Sequence, residues 1–310
     1  MIERSSTPFT RAGWFVSVSA VLATVPSACN IPDATAPPRI AGGRFEASGV
    51  VAVPATNGVL FVDDKSSTEI FWMELSADGR QADPPVKVPL GTSVDDPEAM
   101  TTDGAYFYVV GSQSTSKGTE DDGIVRFKFD ASRRQVTERA SIPALKAFLA
   151  THVEELKDID PRRGNEEELN VEGLAWDPAH SRLLLGLRAP VIDGKALVIP
   201  LKLRDPHGAF QADNLELDGG KAIRLTLGGA GIRSLEYDYT SRAFWVIAAS
   251  EDGSDDFRIL EWRNATGRPD FTELARYSSK LKPEGITRAS VGDTSTRFLV
   301  FDTGRYTNMQ

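Results

Sequence analysis

Short apolar runs separated by turn residues recur along this chain from about residue 47 onward. Val59–Val62, Tyr106–Val110, Leu183–Leu187, Phe244–Ala248 and Phe298–Phe301 are nearly unbroken hydrophobic segments of strand length. Each follows a short start segment. Four of these are alike: Asp96-Pro97-Glu98-Ala99-Met100, Asn170-Val171-Glu172-Gly173-Leu174, Arg233-Ser234-Leu235-Glu236-Tyr237 and Lys282-Pro283-Glu284-Gly285-Ile286. A fifth, Ala47-Ser48-Gly49-Val50, carries serine in the glutamate position. In four modules a third run comes next, at Ile70–Leu75, Ile124–Phe129, Ala196–Leu201 and Phe257–Trp262. A half-polar fourth run closes each of these, at Val86–Leu90, Val136–Ala140, Ile223–Leu227 and Phe271–Ala275. Short runs punctuated by Thr56-Asn57-Gly58, Asp103-Gly104 and Asp177-Pro178 read as antiparallel strands.

Four strands per module, repeated five times, predict an all-β chain folded as a β-propeller of five four-stranded blades over residues 39–310. A six-bladed ring and a β-sandwich are the alternative arrangements of the same strands. The glutamate-led strand is placed innermost in each blade. The last module runs out after Phe301, so residues 39–46 are expected to supply its missing strand and close the ring, which leaves no open sheet edge. One insertion breaks the pattern. Leu145, Phe148, Leu149, Val153 and Leu156 fall at helical spacing and predict an amphipathic helix over 143–157.

The start of the chain has another character. Arg4 and Arg11 precede an uncharged stretch from Phe15 to Val25, the length of a signal-peptide core and too short to span a bilayer. Small residues then lead to Cys29, the only cysteine in the chain. This segment resembles a lipoprotein signal, with Pro26 where that motif usually has leucine. The expectation is a signal over residues 1–28, a linker over 29–38 and export as a periplasmic or outer-membrane lipoprotein lipidated at Cys29. Plain secretion is the alternative. Membrane contact is then expected only through that lipid, and the domain is expected to be a monomer.

Charge narrows the functional classes. With 44 acidic and 35 basic residues among 310, the chain has a formal charge of −9, which argues against nucleic acid as a partner. A lone cysteine leaves no disulfide framework and no cysteine-rich zinc site. No Gly-x-Ser-x-Gly elbow or phosphate-binding glycine loop occurs. His152, His180 and His207 read as surface residues of a helix or turns, and Trp72, Trp176, Trp245 and Trp262 as strand residues packed in the core.

The strand starts Asn170–Trp176, Leu184–Pro190 and Lys282–Ile286 resemble the bacterial domain-of-unknown-function family numbered 3616. More distantly, the repeated Glu-Gly start is similar to esterase-like-phytase propellers. The resemblance implies a propeller and assigns no activity.

The candidate site follows from the propeller layout. Innermost strands line a central channel, so Glu98, Glu172, Glu236 and Glu284 are expected to face one axis. Acids from Asp63 to Asp302, including Glu120–Asp122 and Glu251–Asp256, gather on the same face. Arg188, Arg233, Lys282, Arg288 and Arg305 are expected to answer that charge, and calcium is the candidate ion. Three uses of the glutamates stay open: bonding to backbone amides at blade joints, an arginine-paired ligand site, or a metal site. The functional expectation is a non-catalytic ligand- or protein-binding module working through an acidic channel mouth. The alternative is a calcium-assisted phosphoesterase like the phytases.

Overall fold

In the computed structural model, Met1 and residues 36–114, 123–165, 167–263 and 270–309 are described. The expected export signal, Cys29 and the acids Glu120–Asp122 lie outside the described residues. No helix among those described is long and apolar enough to cross a membrane.

Every sheet is an antiparallel meander. The first blade holds β1 (Ala47–Ala52), β2 (Gly58–Asp63), β3 (Glu69–Glu74) and β4 (Val86–Pro89). The second holds β5 (Pro97–Thr102), β6 (Phe107–Gly111), β7 (Ile124–Asp130) and β8 (Gln135–Ile142). In the third, β9 (Asn170–Asp177), β10 (Arg182–Ala189) and β11 (Ala196–Leu203) are edged by two short strands, β12 (Leu215–Leu217) and β13 (Ile223–Leu225). The fourth holds β14 (Gly231–Asp238), β15 (Ala243–Ala249), β16 (Phe257–Arg263) and β17 (Asp270–Tyr277). The fifth has β18 (Pro283–Val291), β19 (Thr294–Phe301) and β20 (Arg305–Met309).

The first strand of each sheet packs beside the first strands of its two neighbours, in the cyclic order β1, β5, β9, β14, β18 and back to β1. These are the strands placed innermost from the sequence. Five apolar clusters fill the five gaps between successive blades, so both faces of each sheet are buried. That is why the second strands read as unbroken hydrophobic runs rather than alternating ones. The five-bladed propeller expected from the repeats is therefore the fold.

Two details differ from the sequence reading. The N-terminal segment closes the fifth blade with one bridge, Arg39 to Arg305, rather than a full strand. Ile40 N–H donates to the Gly304 carbonyl at 2.9 Å, and Tyr306 N–H to the Pro38 carbonyl at 3.1 Å. The helical insertion is also shorter than 143–157. Helix α1 covers Leu145–His152, and Val153 turns extended before a short 3-10 turn at Glu154–Leu156. Leu145, Leu149, Val153 and Leu156 are nevertheless all buried, in the cluster between the second and third blades.

Candidate functional site

The repeated start segment owes its form to a β-bulge. In each innermost strand the register against its partner slips by one residue near the start: at Ser48–Gly49 in β1, Glu98 in β5, Glu172 in β9, Arg233 in β14 and Glu284 in β18. A bulge leaves one residue unpaired and re-aims its side chain. Here Glu98, Glu172, Arg233 and Glu284 all reach one cavity of about 310 Å³, to which all five blades contribute. The glycine that follows has a separate cause. A Cβ on Gly285 would stand 2.3 Å from the Ser48 carbonyl, and one on Gly173 would stand 2.9 Å from Ile232. Neighbouring innermost strands approach too closely there for a side chain.

Glu236 therefore occupies a different position from the other three glutamates. Laid without gaps on Asn170–Asp177, the strand Gly231–Asp238 puts Arg233 opposite Glu172 and Glu236 opposite Ala175. Glu236 sits deeper along the axis, where it accepts from the Thr101 hydroxyl at 3.2 Å and the Thr287 hydroxyl at 3.5 Å. Those hydroxyls in turn accept the Trp176 and Ala52 backbone N–H groups. Burial holds the Glu236 carboxyl well above its ordinary pKa, and the threonine bonds only partly offset this.

At the mouth, eight carboxylates line the cavity against four bases. Glu172 is buried and takes a guanidinium on each oxygen, Arg188 at 2.9 Å and Arg233 at 3.3 Å. Arg233 also lies 3.9 Å from Glu284. Both arginines are held from behind by backbone carbonyls: Arg188 by Glu251, and Arg233 by Ser250 and Glu251. Glu98 is pushed well above its ordinary range by burial and then by the charges of Glu172 and Glu284, with a Ser48 hydrogen bond opposing. Glu284 is raised by burial and then by Glu172 and Asp302, against the pull of Arg233 and Lys282.

On the first-blade side of the mouth, Lys65 bridges Glu46 and Asp64, each at 2.9 Å. Lys282 pairs with Asp302 at 2.8 Å. Oxygens of Glu46, Asp64 and Asp302 lie within 4.8 Å of one another. Burial lifts Asp64 to about 6 despite its lysine partner.

Of the six candidates named from sequence, Glu98, Glu172, Glu284, Arg188 and Arg233 line the mouth together, and Glu236 does not. Arg288 is engaged elsewhere, on Asp238, and Arg305 donates to the Pro37 carbonyl. Among the acids of that face, Asp64, Asp96, Asp252 and Asp302 reach the cavity. Glu46, Lys65 and Asn170 were not singled out from sequence, since nothing local distinguishes them before the ring brings the blades together. The three histidines are exposed, and none lines the cavity.

Residues 131–300 match the family described as protein of unknown function, DUF3616. No curated protein matches the chain. Among solved structures, a glucose dehydrogenase is 10% identical, covers 87% of this chain and 97% of its own, and superposes with a TM-score of 0.44. The soluble aldose sugar dehydrogenase of Escherichia coli is also 10% identical, over 87% and 97% of the two chains, with a TM-score of 0.46. The PQQ domain of pyranose dehydrogenase from Coprinopsis cinerea is 9% identical, over 91% and 96%, with a TM-score of 0.48.

Proposed function

The chain belongs to the DUF3616 family, and on that premise we propose that it is an exported binding protein whose channel mouth takes a small ligand bearing positive charge, without covalent chemistry. The observation that carries this reading is the excess of eight carboxylates over four bases around one cavity built by all five blades. Like charges gathered at short range favour a cation that neutralises them. Glu172 is answered by two arginines, whereas Glu98 has the Ser48 hydroxyl and Glu284 only a share of Arg233 at 3.9 Å, so these two gain most from an added cation. A protonated amine supplies both the charge and several N–H donors.

Binding is favoured over catalysis by the side chains that face the cavity. Among the described residues its one hydroxyl, Ser114, pairs with Ser112 at 2.8 Å, and no histidine lines it to activate that hydroxyl. The phosphoesterase alternative gains nothing from this geometry. A phosphate would enter a mouth dominated by carboxylates, and Lys65 already spans two of the three clustered acids.

Putrescine tests the reading. It is expected to raise the melting temperature of the domain, because a ligand that binds only the folded form stabilises it. The shift should grow as pH rises above the ordinary carboxylate range, since Glu98 and Glu284 must ionise to hold the cation. It should shrink when Glu98 and Glu284 become glutamine. Absence of any shift with millimolar putrescine refutes the reading, and a shift with calcium alone, reversed by a chelator, replaces the amine with a metal.

A further inference from the structure

A second cavity, of about 240 Å³, opens between the second and third blades on the face away from the channel mouth. Its walls are aromatic: Tyr106, Tyr108, Trp176 and Phe210. Arg126 projects into it from β7. The guanidinium carbon lies 4.4 Å from the Tyr106 ring centre and 4.5 Å from that of Phe210, so the cation is stacked between two rings. Among the described residues it has no carboxylate within ion-pair distance, and its Nε is buried without a hydrogen-bond partner. It reaches the Tyr108 hydroxyl, which in turn donates to Asp103 at 2.7 Å.

A guanidinium held this way keeps part of its hydrogen-bonding capacity unused. Stacking satisfies its faces and leaves its N–H edge, which has the shape to bind a carboxylate through two parallel bonds. Without an anion, part of a charge sits in apolar surroundings uncompensated. The other charged groups on the walls do not supply one. Asp103 is taken by the Ala105 and Tyr106 amides and the Tyr108 hydroxyl. Lys202 faces outward to Asp218 at 2.7 Å.

We propose that this cleft is a binding site for a small aromatic monocarboxylate, with its ring against Trp176 and Tyr108 and its carboxylate on Arg126. The volume falls just under the ~300 Å³ at which pockets begin to take drug-sized ligands, which selects a single ring.

Phenylacetate and its neutral isostere phenylacetamide are the probes, titrated calorimetrically into the purified protein. Phenylacetate is expected to bind saturably and at least about tenfold more tightly than the amide, since charge-assisted bonds are the stronger ones. Arg126→Met should bring the two to equal affinity. Ala105→Trp, a change at an exposed position on the cleft wall, should abolish binding of both while the melting temperature holds. Equal affinity of the two probes for the unaltered protein overturns the proposal, as does binding that survives Ala105→Trp. These two results decide the matter even if Arg126→Met does not fold.

Discussion

Replacing Glu236 by glutamine makes the channel interior measurable. The carboxyl lies buried between Thr101 and Thr287, and burial holds its pKa well above the ordinary carboxylate range. The folded protein therefore keeps a proton there that the unfolded chain loses above about pH 4.3. Between those two values the folded state binds more protons, so stability must fall as pH rises. One such group contributes a slope of about 1.4 kcal/mol per pH unit. Glutamine has nearly the same shape and no charge. Its carbonyl can accept one threonine hydroxyl, and its NH₂ can donate to the other, because a hydroxyl has a second lone pair to offer. The variant should thus match the wild type near pH 4.5, within about 1 kcal/mol. At higher pH it should become the more stable protein, by a margin that widens at up to about 1.4 kcal/mol per unit until the folded-state pKa is passed. Urea unfolding at unit steps from about pH 4.5 to about pH 7.5 reads this directly through the midpoint. A stability difference that stays flat with pH, or that turns in favour of the wild type, refutes the account of a neutral carboxyl in the channel.

Two further outcomes follow from other parts of the molecule. Arg288→Met should destabilise the fold by about 3 kcal/mol, because it strands the buried Asp238 carboxylate that the arginine holds through two bonds across blades four and five. Asp238 is depressed to about 2, so its contribution is present above the ordinary aspartate range and lost as pH falls through about 2; chemical denaturation should accordingly show the variant's deficit shrinking at low pH. For the proposed export and lipidation, labelling cells with a radioactive fatty acid should mark the intact protein and leave Cys29→Ala unlabelled, and equal labelling of both removes the lipid.

The blades were legible because both faces of every sheet are covered. Phe244–Ala248 or Leu183–Leu187 could not be continuous hydrophobic runs on a one-sided sheet. The repeat of glutamate and glycine carried a real signal, yet it was two signals, one for the bulge that aims a side chain into the axis and one for a close approach of strands. Matching on the glutamate alone put Glu236 in the wrong register. The ungapped match of Gly231–Asp238 to Asn170–Asp177, sharing Leu235 with Leu174 and Asp238 with Asp177, places Arg233 correctly. Long-range partners left no mark of that kind. Nothing local to Arg288 points to Asp238, 50 residues away, and nothing near Lys65 announces that Glu46 will stand across from it. The split outer edge of the third blade likewise depends on β12 and β13 sharing one neighbour, a matter of tertiary fit rather than of propensity.

The clasp between Arg39–Ile40 and Gly304–Tyr306 decides where the ring would first give way. It lies on the outermost edge of the fifth blade, so Pro37 and Pro38 stand at the rim of the disc and not on either of its flat faces. A pull on Pro37 is borne first by two backbone hydrogen bonds and the Arg305 side chain, a far weaker hold than the strand ladders of the complete blades. The ring behaves as a bracelet fastened on its outer rim, with the fastening clear of the channel mouth.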